Sequence, residues 1–237
     1  RSSGVGIVSI IVRRKPANCG ANEELFMRVW TVCKAHWLRV VLLFPALLFL
    51  GLWAAYALAT GPVNLAQYPD ACSSPYLLPW PAGITYRCIQ SNRGIVSHRG
   101  GDYFAYDFYM PVGSDICAAR AGKVVRVVQE HDGNGYKWPN NVVVIEHEDK
   151  TLGVYAHIMK DGSKVAVGDM VRQGQVIAAS GNVGNSMMPH LHFHVSAPDR
   201  KRTLPITFSD CRRHKGIPRM FYNYTSANTA VAAEDQD

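Results

Sequence analysis

The rhythm of hydrophobic and polar positions changes several times along this chain. From Val40 to Thr60, 21 consecutive residues (VVLLFPALLFLGLWAAYALAT) carry no charge, a run long enough at helical rise to cross the hydrocarbon layer of a bilayer. Pro45 is compatible with a spanning helix, and Trp37, Trp53 and Tyr56 are residue types of the membrane interface. Residues 61–90 are rich in Pro and aromatics (GPVNLAQYPD, SPYLLPWPAG) without clear periodicity, which predicts a linker and an extended lead-in. From Tyr103 to Ser196 short β-branched runs take over: KVVRVVQEH, NNVVVIEHE, TLGVYAHI, KVAVGDMV, QVIAAS and HLHFHVS. Turn signals separate them, among them Asp132-Gly133-Asn134-Gly135, Asp161-Gly162, Gly168-Asp169 and Gln173-Gly174. The fold class expected is all-β, an antiparallel β-sheet or β-roll domain, behind an N-terminal transmembrane helix. The small polar residues from Thr225 onward predict a disordered tail.

Charge gives the span a direction. The formal net charge is +7, but seven Arg/Lys against two Glu lie before residue 40, and 18 basic against 16 acidic residues lie from residue 61 onward. The excess therefore belongs to the N-terminal arm, and with a span following it the expectation is no nucleic-acid partner. Arg13, Arg14, Lys15, Arg28, Lys34 and Arg39 precede the span, while the first charge after it is Asp70. The positive-inside rule then keeps residues 1–39 in the cytoplasm and exports everything after Thr60. A cleaved signal peptide is the rival reading, since YALAT offers small residues for cleavage. The length of the apolar run and of the arm before it favours an anchor in the inner (cytoplasmic) membrane, crossing once. The domains expected are a cytoplasmic arm (1–39), a transmembrane helix (40–60), a linker and lead-in (61–90), a folded domain (91–224) and a tail (225–237). Four of the six cysteines fall on the exported side, where two disulfides are allowed, and the pairs expected are Cys72 with Cys88 and Cys117 with Cys211.

Nine histidines are present. In HLHFHV, strand alternation places His190, His192 and His194 on one face and Leu191, Phe193 and Val195 on the other. In GVYAHI the same alternation puts Tyr155 and His157 on one face. Three imidazoles at period two beside an apolar face point to metal or acid/base chemistry. A catalytic zinc needs three protein ligands and an open position, with His and a carboxylate as usual donors. Upstream, SHRGGDYFAYDFYMPVG offers His98 with either Asp102 or Asp107; FAYDF reads as a strand that sets Asp107 opposite Phe104, Tyr106 and Phe108.

These motifs resemble the lysostaphin-like (M23) family of zinc metallopeptidases over roughly Ser97 to Ser196. His98-Arg99-Gly100 and Asp107-Phe108 followed by Met110-Pro111-Val112-Gly113 are similar to its first motif, His190-Leu191-His192 to its second, and Tyr155-Ala156-His157 to its third. The resemblance implies Zn2+ held by His98, Asp107 and His192, with His157 and His190 as catalytic partners. It also implies peptidoglycan as substrate, cleaved on the periplasmic or extracytoplasmic side. Asp102 stays open as an alternative ligand at the compact His-x-x-x-Asp spacing. His194 stands where the family often has Glu, and remains open as a neighbour of the ligands, a solvated side chain or a ligand. Zinc lowers the pKa of bound water to roughly 7 and polarises a carbonyl, which is what amide hydrolysis requires. A catalytically silent regulator of cell-wall hydrolases is the alternative function; a biotinyl-like carrier lacks a suitably placed lysine.

Overall fold

The computed structural model describes residues 19–60, 64–94 and 97–229. The chain divides into two units, 1–54 and 55–237. Helix α1 (Cys19–Thr60), which makes up the described part of the first unit and whose last six residues fall in the second, runs through Pro45 as one helix of 42 residues. No Gly or Pro interrupts residues 21–44, so the helix starts well before the apolar run at Val40. Within it, Phe26–Ala55 is long and apolar enough to cross a membrane, and its described large side chains, such as Phe44, Leu47 and Phe49, are exposed rather than packed in a core. Of the expected cytoplasmic arm (1–39), residues 1–18 lie outside the described residues and residues 19–39 belong to α1.

The second unit is built from β1 (Thr85–Gln90), β2 (Tyr106–Tyr109), β3 (Asp115–Cys117), β4 (Gly122–Val128), β5 (Val142–Glu146) and β6 (Leu152–Ala156). It continues with β7 (Ile158–Ser163), β8 (Met170–Val171), β9 (Val176–Ser180), β10 (His190–Ser196) and β11 (Asn223–Thr225). Eight strands form one sheet in the order β11-β1-β2-β10-β6-β5-β4-β8, and three form a second in the order β3-β9-β7. Every paired neighbour is antiparallel, as the alternating runs and tight turns predict. One core serves both sheets: Tyr106, Phe108, Leu191, Phe193, Val195, Val143, Ile145 and Tyr155 of the larger sheet join Ile116, Ile177 and Ala178 of the smaller.

Three expectations change. The later part of the stretch read as linker and lead-in is built into the core: Tyr76, Leu78 and Trp80 are buried, Trp80 lies 4.8 Å from the Phe108 ring, and β1 starts at Thr85. Pro and aromatics without periodicity describe an irregular lead-in that is nonetheless core. The tail is ordered as far as Thr229: Ser226 Oγ donates to Trp80 O at 2.7 Å, and Asn228 Nδ2 donates to Leu78 O at 3.0 Å and Ala118 O at 3.1 Å. Its small polar side chains bind backbone carbonyls instead of burying apolar surface; residues 230–237 lie outside the described residues. The expected disulfides are absent, with Cys72, Cys88, Cys117 and Cys211 all free thiols. Burial separates Cys72, which is exposed, from Cys88, which is buried in the core that also holds Cys211; Cys117 and Cys211 are both buried. Trp80→Ala should lower the unfolding free energy by about 3–5 kcal/mol, and Asn228→Ala by about 1–3 kcal/mol through the carbonyls it leaves unpaired; urea denaturation followed by tryptophan fluorescence or circular dichroism checks both.

Candidate metal centre

β10 is flanked by β2 and β6, with His192 opposite Asp107 on one side and Ala156 on the other. Its apolar residues Leu191, Phe193 and Val195 are fully buried, so His190, His192 and His194 must take the other face. The same logic sets Asp107: Tyr106 and Phe108 fill the core and the carboxylate between them turns to the imidazole face. His98 arrives from the loop before β2 and is fully buried. The result is a cluster in which His98 Nε2 lies 3.1 Å and His192 Nδ1 2.9 Å from Asp107 Oδ1. A tetrahedral zinc with nitrogen bonds of about 2.0–2.1 Å spaces its ligand atoms roughly 3.3 Å apart.

The surrounding hydrogen bonds suit a metal. His98 Nδ1 donates to Ser91 O at 2.8 Å, which leaves Nε2 with a lone pair. That nitrogen is buried, and although Asp107 is near, it is out of line for a hydrogen bond. A buried imidazole nitrogen without a partner, beside a carboxylate and a second imidazole, is what a cation would satisfy. His192 Nε2 lies 3.1 Å from His194 Nδ1, so His194 can accept the Nε2 proton and leave Nδ1 free on the Asp107 side. Gln90 Nε2 donates to the other Asp107 oxygen at 2.8 Å and orients the carboxylate. Burial alone would raise the Asp107 pKa, but His192 and His98 hold it well below the usual carboxylate range. Burial works against a charged His192, but its hydrogen bond to Asp107 and the charges of Asp107 and Asp102 together raise its pKa.

His157 and His190 lie alongside, with ring centroids 4.5 Å apart and His157 5.9 Å from His192. Both spend Nδ1–H on a backbone carbonyl, His157 to Val183 O and His190 to Met188 O, each at 2.7 Å, so Nε2 is the free nitrogen. His190 Nε2 is 3.8 Å from Asp107 Oδ1. Burial pushes His157 down to about 3, with His190 and His192 adding to the effect, and burial lowers His190 as well. Both imidazoles are therefore neutral near pH 7.

His157 reaches this position by a different route from the one strand alternation predicts. Tyr155 points into the core, its hydroxyl accepting from Ala119 N at 2.8 Å. His157 follows the end of β6 with φ of 63°, a left-handed conformation that breaks the alternation and brings its ring to His190. Asp102 is not in the His98 cluster; it is exposed and forms a second group with His192 and His194. Sequence reasoning missed Gln90 and the three carbonyls of Ser91, Val183 and Met188, none of which carries a motif. A cavity of about 950 Å³, lined by residues such as Asp210, Arg212 and Tyr224, contains none of these histidines.

Residues 101–205 match a family model described as Peptidase family M23. The match takes in Asp107, His157, His190 and His192 and begins just past His98. A glycyl-glycine endopeptidase of Staphylococcus capitis is 37% identical over 94 residues, which are 40% of this chain and 24% of that protein. A peptidoglycan DD-endopeptidase of Vibrio cholerae is 36% identical over 120 residues, 48% of this chain and 25% of that protein. The solved structure of lysostaphin from Staphylococcus simulans shares 27% identity with a TM-score of 0.39, covering 50% of this chain and 47% of that one. The chain thus spans a quarter or less of the length of the first curated relatives it matches.

Metal analysis of the purified protein should find about one zinc per chain. His98→Ala and Asp107→Ala should lose it and Asp102→Ala should keep it; the reverse pattern would assign the ion to the Asp102 group.

Proposed function

We propose that this chain, whose residues 101–205 form a peptidase family M23 domain, is a membrane-anchored zinc endopeptidase that hydrolyses amide bonds in peptidoglycan peptides. The observation that carries the reading is the convergence of five side chains. His98, Asp107 and His192 form a donor set fit for zinc, with the free Nε2 atoms of His157 and His190 beside it. Zinc, when bound there, supplies a Lewis acid for water and for the scissile carbonyl.

The chain's own groups then divide the remaining work. His98, Asp107 and His192 hold the ion, and Gln90 and His194 hold Asp107 and His192 in orientation. His157 and His190 present neutral Nε2 atoms that accept the proton of the attacking water and pass one to the leaving amine. As donors in their protonated form, they also stabilise negative charge developing on the carbonyl oxygen. Their Nδ1 bonds to backbone carbonyls keep both rings in one tautomer through the cycle.

The named activities of the Staphylococcus capitis and Vibrio cholerae relatives support peptidoglycan as the substrate class. The Phe26–Ala55 helix and the basic residues before Val40 support a single-pass anchor in the inner membrane with the domain on the extracytoplasmic side. Incubating the zinc-loaded protein with purified peptidoglycan should release new muropeptides. His157→Ala and His190→Ala should each cut the rate by about 10²–10⁴ while keeping the metal. Bound zinc without turnover in the unaltered protein would favour the silent-regulator alternative. Retention in the membrane pellet after alkaline extraction checks the anchor.

A further inference from the structure

A groove leads away from the metal ligands across the larger sheet. Strand register lines up His194 of β10, Val154 of β6, Val144 of β5 and Arg126 of β4 in one row. Val142 and Leu152 complete an apolar floor, and the segment 197–203 adds Arg200 and Arg202 as a wall. These residues line an open cavity of about 180 Å³. It opens one side chain from the metal cluster, because His194, which lines it, contacts His192 at 3.1 Å.

The charge around this cavity is uneven. Arg126, Arg200 and Arg202 are exposed, and none of them forms a salt bridge among the described residues. Residues from 61 onward carry 18 basic against 16 acidic side chains, so three guanidiniums at one cavity are a local concentration rather than a bulk excess. The single lining carboxylate, Asp102, is close to His192 and His194, at the end of the row nearer the metal cluster. A guanidinium pairs with a carboxylate through two parallel hydrogen bonds, and an apolar floor strengthens such a pair by excluding water. Three strand spacings separate the backbones of His194 and Arg126, about 14 Å, which an extended peptide covers in roughly four residues.

The geometry points to a subsite in which Arg126, Arg200 and Arg202 bind a free carboxylate of the substrate peptide, so that the enzyme selects acidic over amidated peptides. This rests on the peptidase reading above. The test uses the full zinc-loaded chain in detergent and two synthetic cross-linked peptides, identical except that the free carboxylates of one are carboxamides in the other. The free acid should show a KM about tenfold or more below that of the amide. Replacing the three arginines together with Gln should raise the free-acid KM to the amide level, leave kcat within about twofold, and leave amide hydrolysis unchanged. The corresponding Lys variant should restore part of the preference. Equal KM values in the unaltered protein, or a Gln variant that keeps the preference, would overturn the subsite while leaving the peptidase intact. Fluorescence polarisation of the labelled peptides on the His157→Ala variant separates the two ideas. Arginine-dependent binding of the acid over the amide without turnover of either in the unaltered protein would sink the peptidase reading and keep the subsite; its absence would sink the subsite. Displacement of the labelled acid by glycerol phosphate at far lower concentration than by acetate would also overturn it, in favour of a phosphate polymer.

Discussion

The burial of Leu191, Phe193 and Val195 is the constraint on which the centre depends. Each contributes about 1.5–3 kcal/mol when removed from water, and all three are fully buried. A slip of β10 by one residue would drive the imidazoles into the core and those apolar groups out of it. The register against β2 is therefore held firmly, and that register puts His192 opposite Asp107. Hydrophobic burial on one face thus positions a polar cluster on the other, where its desolvation is offset by mutual contacts.

Orientation within the cluster comes from the backbone. Ser91, Val183 and Met188 each present a carbonyl to a histidine Nδ1, which fixes ring rotation and tautomer together. Backbone carbonyls in an ordered loop are rigid acceptors, so the Nε2 atoms are preorganised and little rearrangement is needed when charge develops. The left-handed turn at His157 belongs to the same scheme, since an extended residue there would follow Tyr155 into the core. The groove and its arginines extend the same face of the sheet outward, so the polar cluster and its surroundings rest on one apolar layer.

Irregular segments carry more of the fold than their composition suggests. Trp80 and its neighbours pack against Phe108, and Ser226 and Asn228 tie the end of the domain to the backbone at Leu78, Trp80 and Ala118. Neither segment has a strand or helix period, because their contacts are made by single residues at irregular intervals. The cysteines illustrate the same limit, as pairing depends on burial and direction rather than on spacing along the chain.

What the sequence determined by itself is whatever repeats locally. The uncharged run, the β-branched strands with their turns and the alternating HLHFHV face are all read from nearest neighbours, and they predict the helix, the antiparallel sheets and the imidazole face. The three groups His98, Asp107 and His192 were nameable because each sits in a short motif. Only the tertiary structure decided that Asp107, and not Asp102, meets both His98 and His192: pairing of β2 with β10 sets it opposite His192, and the loop before β2 brings His98 to it. It alone decided the route of His157, the part played by Gln90, and the gathering of Arg126, Arg200 and Arg202. These depend on contacts between residues far apart in the chain, or on one backbone angle, and neither leaves a periodic trace in the sequence.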